Sequence, residues 1–90
     1  MDIFIRVFGP EIFPKQKISL KKSAPTVKDA ASHLLNRHSA DWQQIIADDL
    51  MPAEGYTVLL NGRNIQSLEG LNTPLADGDE LIFTVMVMGG

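Results

Sequence analysis

No cysteine occurs in the 90 residues. That absence removes disulfide staples, thiolate metal sites, cysteine nucleophiles and iron–sulfur ligation together, so any sulfur chemistry has to use a sulfur that arrives from outside. There is no run of about 18 apolar residues such as a membrane span needs, and Met1-Asp2-Ile3-Phe4 lacks the basic region of a targeting segment. A cytoplasmic location without membrane contact is the expectation. Histidine is scarce: His33 and His38 are five apart, which aligns them poorly on one helical face, and without cysteine beside them they read as surface or capping residues rather than metal ligands. No Gly-x-Gly-x-x-Gly, phosphate-binding loop or Ser-His-Asp framework is present. The chain is therefore expected neither to bind ATP itself nor to act as an enzyme, and no cofactor or metal is expected.

Positive charge is nearly missing from one half. Residues 41 to 90 hold one cation, Arg63, against eight acids, whereas residues 1 to 40 hold seven Lys/Arg against three acids, for a net charge of −3. The asymmetry fits either a solvated surface of both signs or an acidic face that steers the C-terminal half toward a basic partner. Nucleic acid does not fit that half, because phosphate contacts need clustered cations. The acidic pairs Asp48-Asp49 and Asp77-Gly78-Asp79-Glu80 lack the twelve-residue calcium-loop pattern, and adjacent carboxylates point apart, so the second cluster reads as a solvated turn.

What is present suffices for one core. Apolar residues make up 44 % and charged residues 21 %, close to soluble globular averages, and a chain this short has material for a single domain. Residues 2 to 8 alternate Ile3, Ile5 and Val7 against Phe4, Arg6 and Phe8, the period of a strand. Gly9-Pro10 and Pro14 break it, and Lys15 to Leu20 sets Gln16, Ile18 and Leu20 against Lys15, Lys17 and Ser19, as an exposed edge strand of a hairpin does. Thr26 with Asp29 three residues on forms a capping-box-like helix start, and Val27, Ala30, Ala31, Leu34 and Leu35 supply an apolar stripe. Ser39 and Asp41 suggest a second, short or partly irregular helix with Trp42, Ile45, Ile46 and Leu50 buried, ended by Pro52-Ala53-Glu54-Gly55. Tyr56 to Leu60 reads as a strand, Asn61-Gly62 as a hairpin turn and Arg63-Asn64-Ile65 as its return. Ser67 to Leu71 suggests a turn of helix. Gly78 in the acidic turn is expected at positive φ, launching a last strand over Leu81 to Met88. In that strand Leu81, Phe83, Val85 and Val87 are assigned to the core, with Ile82, Thr84, Met86 and Met88 on the other face.

This order, a hairpin, a crossover helix, a strand, a short strand and a last strand, predicts an α+β fold of the β-grasp, ubiquitin-like type. It is a mixed sheet of four to five strands with a helix packed on one face. Residues 1–88 would form the domain and 89–90 a flexible tail.

The stretches Leu60-Asn61-Gly62-Arg63-Asn64-Ile65, Leu68-Glu69-Gly70-Leu71 and Thr73-Pro74-Leu75-Ala76-Asp77-Gly78-Asp79-Glu80, with the closing Gly89-Gly90, resemble the ubiquitin-like sulfur carriers. Among these the chain looks closest to the small subunit of molybdopterin synthase and the archaeal-type small modifier proteins. It departs from the molybdopterin-synthase pattern in one respect, having Val85-Met86 where two prolines usually precede the terminal glycines.

The resemblance implies that an ATP-dependent activating enzyme adenylates the Gly90 carboxylate and that a sulfur donor converts it to a thiocarboxylate. Adenylation supplies the leaving group that a bare carboxylate lacks. Gly89 and Gly90, having no Cβ, suit an end-on approach into a narrow enzyme site. Docking candidates are Ile82, Thr84, Met86, Met88, Ile65 and Arg63; the two methionines suit either adaptable docking or ordinary packing. The implied partners are the activating enzyme, the sulfur donor and the molybdopterin-synthase large subunit. The leading expectation is sulfur donation to molybdopterin. Thiamine-pathway sulfur carriage, protein tagging through lysines, and an unactivated β-grasp interaction module are the alternatives.

Overall fold

The computed structural model describes residues 1–9, 13–37 and 42–85. Strands β1 (Asp2–Phe8) and β2 (Phe13–Ser19) form an antiparallel hairpin, helix α1 (Val27–Arg37) crosses over, and β3 (Tyr56–Leu60), β4 (Arg63–Asn64) and β5 (Glu80–Val85) complete one sheet in the order β2-β1-β5-β3-β4. β1 and β5 run parallel at its centre, with Phe4 opposite Glu80 and Phe8 opposite Thr84. All other pairings are antiparallel. This is the expected β-grasp arrangement, with β2 at an edge.

The strand alternation sorts the sheet into two faces. Ile3, Ile5 and Val7 of β1, Val58 and Leu60 of β3, and Leu81 and Phe83 of β5 are buried against Val27, Ala30, Ala31 and Leu34 of α1. Val85, assigned to the core from the sequence, is only half-buried. The helix starts as its sequence suggests: the Asp29 carboxylate accepts the Thr26 backbone N–H at 2.8 Å and the Thr26 hydroxyl at 3.2 Å, and its other oxygen meets Lys22 at 3.2 Å. These contacts, the backbone N–H foremost, hold the Asp29 carboxyl below the ordinary aspartate range. The helix N-terminus is tied to the distant 73–75 segment by Val27 N–H to the Thr73 carbonyl and Leu75 N–H to the Pro25 carbonyl.

The element at Trp42 is short and partly irregular, as expected. One helical turn forms there, with the Ile45 and Ile46 N–H groups both donating to the Trp42 carbonyl, and the chain then loops back. Leu50 takes φ 69°, Asp49 accepts the Met51 N–H at 3.0 Å, and Ile46 bridges to Pro52. Three local features oppose continuation: two carboxylates where a helix C-terminus would lie, an aspartate side chain that offers its own turn, and a proline that bars helical backbone at Met51. Trp42, Ile45 and Ile46 still reach the core, Trp42 meeting the Phe83 ring edge-on at 5.1 Å, while Leu50 is only partly buried. The Ser39 and Asp41 start lies outside the described residues, as does the expected strand beyond Val85. Between Ile65 and Asn72 the chain forms two 3₁₀ turns, Ile65–Ser67 and Gly70–Asn72, rather than one.

Two outcomes follow from this packing. Trp42→Ala should lower unfolding free energy by about 3–5 kcal/mol, read from urea midpoints, since it empties a fully buried ring position. Asp29 has a folded pKa below its unfolded one, so its contribution is complete above the unfolded value and fades as pH falls through the folded value. Asp29→Asn should accordingly cost stability at neutral pH and converge on the wild-type protein in acid, a convergence that thermal melts at several pH values would reveal.

Candidate functional site

The motif between Asn61 and Glu80 is first a piece of construction. Asn61 and Gly62 hold φ 51° and 88°, the left-handed pair that a two-residue hairpin between right-twisted strands requires. The Asn61 side chain then reaches 18 residues ahead, donating to the Asp79 carboxylate at 2.9 Å and accepting the Glu80 N–H at 2.9 Å. The other Asp79 oxygen accepts the Ala76 N–H at 2.8 Å, Asp77 accepts the Asp2 N–H at 2.7 Å, and the Gly78 N–H, at φ 88°, donates to the Asp2 carbonyl. Thr73, nearly buried, accepts from the Glu69 N–H and donates to the Gly70 carbonyl. Asp77 and Asp79 are thus engaged with backbone and amide donors where a solvated turn was expected, and among the described residues no three His, Cys, Asp or Glu side chains converge on a metal position. The result is a fixed start for β5.

From that start β5 runs up the middle of the sheet as far as Val85. Val85 pairs with Tyr56 at the start of β3, and Gly9 stands at the end of β1. A Cβ on Gly9 would stand 2.8 Å from the Tyr56 hydroxyl, so the glycine is what lets that ring lie across the end of the sheet.

The face away from the helix is open. Ile82 and Thr84, both half-buried, lie on it, in register with Arg6 and Phe8 on one side and with Leu59 and Thr57 on the other. Phe8 is 45 % exposed, an unusual value for a ring on a sheet. Two of the expected docking residues do not join this face. Ile65 is 1 % exposed and belongs to the core, so its side chain offers no surface: the position after a two-residue return strand folds inward as the first residue of a 3₁₀ turn. Arg63 is exposed but pairs with buried Leu60, which places it at the sheet edge on the helix-bearing side. Met86, Met88, Gly89 and Gly90 lie outside the described residues.

Sequence reasoning missed a charged cluster on the same open face. Glu80 meets Arg6 at 3.2 Å and Lys15 at 3.7 Å, and the Lys15 ammonium also stands 4.9 Å from the centroid of the Phe4 ring. The alternation of β1 already placed Phe4, Arg6 and Phe8 together; what it did not contain was the pairing of β1 with a strand more than 70 residues later.

With this geometry established, the chain was compared with known proteins. The ThiS family model matches residues 5–90. No curated protein sequence matches significantly. Among solved structures, the small archaeal modifier protein 1 of Methanosarcina acetivorans is similar at 26 % identity and TM-score 0.75, covering 99 % of this chain and 96 % of that one. The protein of the same name from Haloferax volcanii is similar at 24 % identity and TM-score 0.74, with all of both chains covered. A complex of subunits 1 and 2 of the molybdopterin-converting factor of Helicobacter pylori contains a chain similar at 24 % identity and TM-score 0.66, again over the full length of both.

The contacts of the turn give a direct test of the construction. Asn61→Ala and Asp79→Ala should each lower stability by about 1–2 kcal/mol, and the double variant should lose less than the sum, because the two side chains share one hydrogen bond. Urea unfolding of the four proteins closes the cycle.

Proposed function

The chain belongs to the ThiS family of ubiquitin-like sulfur carriers and modifiers, and we propose that its working atom is the carboxyl carbon of Gly90, activated as an acyl-adenylate and converted to a thiocarboxylate. The observation that carries this reading is that the family match extends to residue 90, taking in the Gly89-Gly90 pair. The fold supplies the rest. β5 is anchored at the sheet centre, and the five residues that follow Val85 can reach about 17 Å at full extension.

In the proposed reaction the Gly90 carboxylate attacks the α-phosphorus of ATP on the activating enzyme, and pyrophosphate leaves. Hydrosulfide from the donor then attacks the activated carbonyl, the bond to AMP breaks, and loss of one proton leaves the thiocarboxylate. The activating enzyme supplies the nucleotide site and the catalysis; this chain acts as a protein co-substrate. Its contribution is presentation, with Ile82 and Thr84 on the open face, Met86 and Met88 toward the tail, and Arg63 at the sheet edge as the docking residues. Residues 1–88 serve as the body and 89–90 as the tail. We assign the sulfur to molybdopterin formation, supported by the similarity to a chain of the Helicobacter pylori complex, with the large subunit of the synthase as the corresponding partner. A second reading, conjugation of the Gly90 carbonyl to lysines of other proteins, draws on the similarity to the small archaeal modifier protein 1 and uses the same adenylate.

The test is to incubate the protein with ATP, an activating enzyme and sulfide, treat it with a thiol-alkylating reagent, and map the adduct. With no cysteine in the chain, an alkylated terminal peptide is expected and identifies the thiocarboxylate. Intact mass alone would confuse oxygen-to-sulfur exchange with oxidation of one of the four methionines. Failure of Gly90 to become alkylated beside an active control carrier would overturn the reading. Deletion of Gly89-Gly90 should abolish the adduct. A ladder of conjugates surviving reducing denaturation would establish the second reading.

A further inference from the structure

The turn that sets the start of β5 carries a chemical weakness. Asparagine is followed by glycine at one place in the chain, Asn61-Gly62; the other asparagines precede Arg37, Ile65 and Thr73. The backbone nitrogen that follows an asparagine can close a succinimide ring on its side-chain carbonyl carbon, and a side chain on the following residue crowds that approach. Gly62 leaves it open. Apart from its chain neighbours, no atom lies within 4 Å of the position a Cβ would take there, and both residues are exposed to water.

The hydrogen bonds of the Asn61 amide oppose that reaction. Nδ2 donates to the Asp79 carboxylate at 2.9 Å, and Oδ1 accepts the Glu80 N–H at 2.9 Å. Asp79 is itself held in place, its other oxygen accepting the Ala76 N–H at 2.8 Å. Ring closure makes the side-chain carbon tetrahedral and expels its nitrogen, so the bond to Asp79 has to break before the amide can react. Two of the contacts that fasten the turn are therefore also the contacts that keep Asn61 an asparagine.

We propose that Asn61 is a site of spontaneous deamidation that Asp79 holds in check, and that its conversion undoes the turn before β5. The Gly62 nitrogen attacks the Asn61 side-chain carbon and gives up its proton, and the side-chain nitrogen leaves as ammonia. Water then opens the succinimide to aspartate or isoaspartate. Either product replaces the donor to Asp79 with a carboxylate, so that two negative charges meet where a hydrogen bond stood. Isoaspartate also routes the main chain through the side-chain carbon, which the left-handed pair at 61 and 62 does not accommodate. Conversion is irreversible, so each molecule whose turn opens for long enough is marked. Gly90 takes no part in this chemistry, and the proposal stands apart from the carrier reading.

The experiment holds the folded protein in mildly alkaline buffer and follows conversion at Asn61 over time by peptide mapping, which reads the mass gain of amide to acid. Asp79→Ala is expected to speed conversion about fivefold or more, the factor that loss of one such hydrogen bond allows. Ile18→Val is a core change of comparable cost in the edge strand β2, two strands from β5, and should leave the rate at the wild-type value. Asn61→Asp makes one product directly and should unfold at lower urea than the wild-type protein. Equal rates for wild type and Asp79→Ala, or equal acceleration by Asp79→Ala and Ile18→Val, would overturn the restraint by Asp79. Conversion of Asn64 or Asn72 ahead of Asn61 in Asp79→Ala would overturn the site, and a wild-type urea midpoint for Asn61→Asp would overturn its consequence for the turn.

Discussion

The parallel pairing of β1 with β5 is the constraint from which the other features follow. Two antiparallel strands can be joined by a two-residue turn, but two parallel neighbours need a crossover, and here everything between residues 8 and 80 is that crossover. The helix covers one face because the connection must pass over the sheet. β3 pairs on the far side of β5, so that β5 is flanked on both edges. A strand so placed cannot slip without turning Leu81 and Phe83 out of the core.

Holding that strand in register is the business of the motif residues. Asn61, Asp77 and Asp79 fasten the turn before β5 to both of its neighbours, through the β3–β4 hairpin and through Asp2. These are the residues by which the chain most resembles its family, and their observed contacts are structural. The chemistry proposed for Gly90 and the surface proposed for docking are separate from them, joined only by the strand that runs between.

The local elements were legible in the sequence wherever one short stretch carried its own physical cause. The alternation of Ile3, Ile5 and Val7, the Thr26–Asp29 cap and the Asn61-Gly62 turn each specify their conformation within a few residues. The stretch from Trp42 to Leu50 did not, since its apolar spacing serves one turn of helix followed by a loop as well as it serves a helix. Ile65, a docking candidate from the sequence, illustrates a second limit: only the 3₁₀ turn after Asn64 shows why it is buried. The Arg6–Glu80–Lys15 cluster lay beyond reach altogether. It is assembled from three strands, and no local pattern encodes which distant strand lies alongside which.

The parallel centre also makes the molecule a vector. Residue 1 and residue 85 sit at opposite ends of the sheet, about 20 Å apart for a seven-residue strand. A bead, dye or surface attached ahead of β1 therefore stands at the pole away from Val85. Bridging the two poles takes about seven extended residues laid along the whole length of the sheet, of which residues 86–90 supply five.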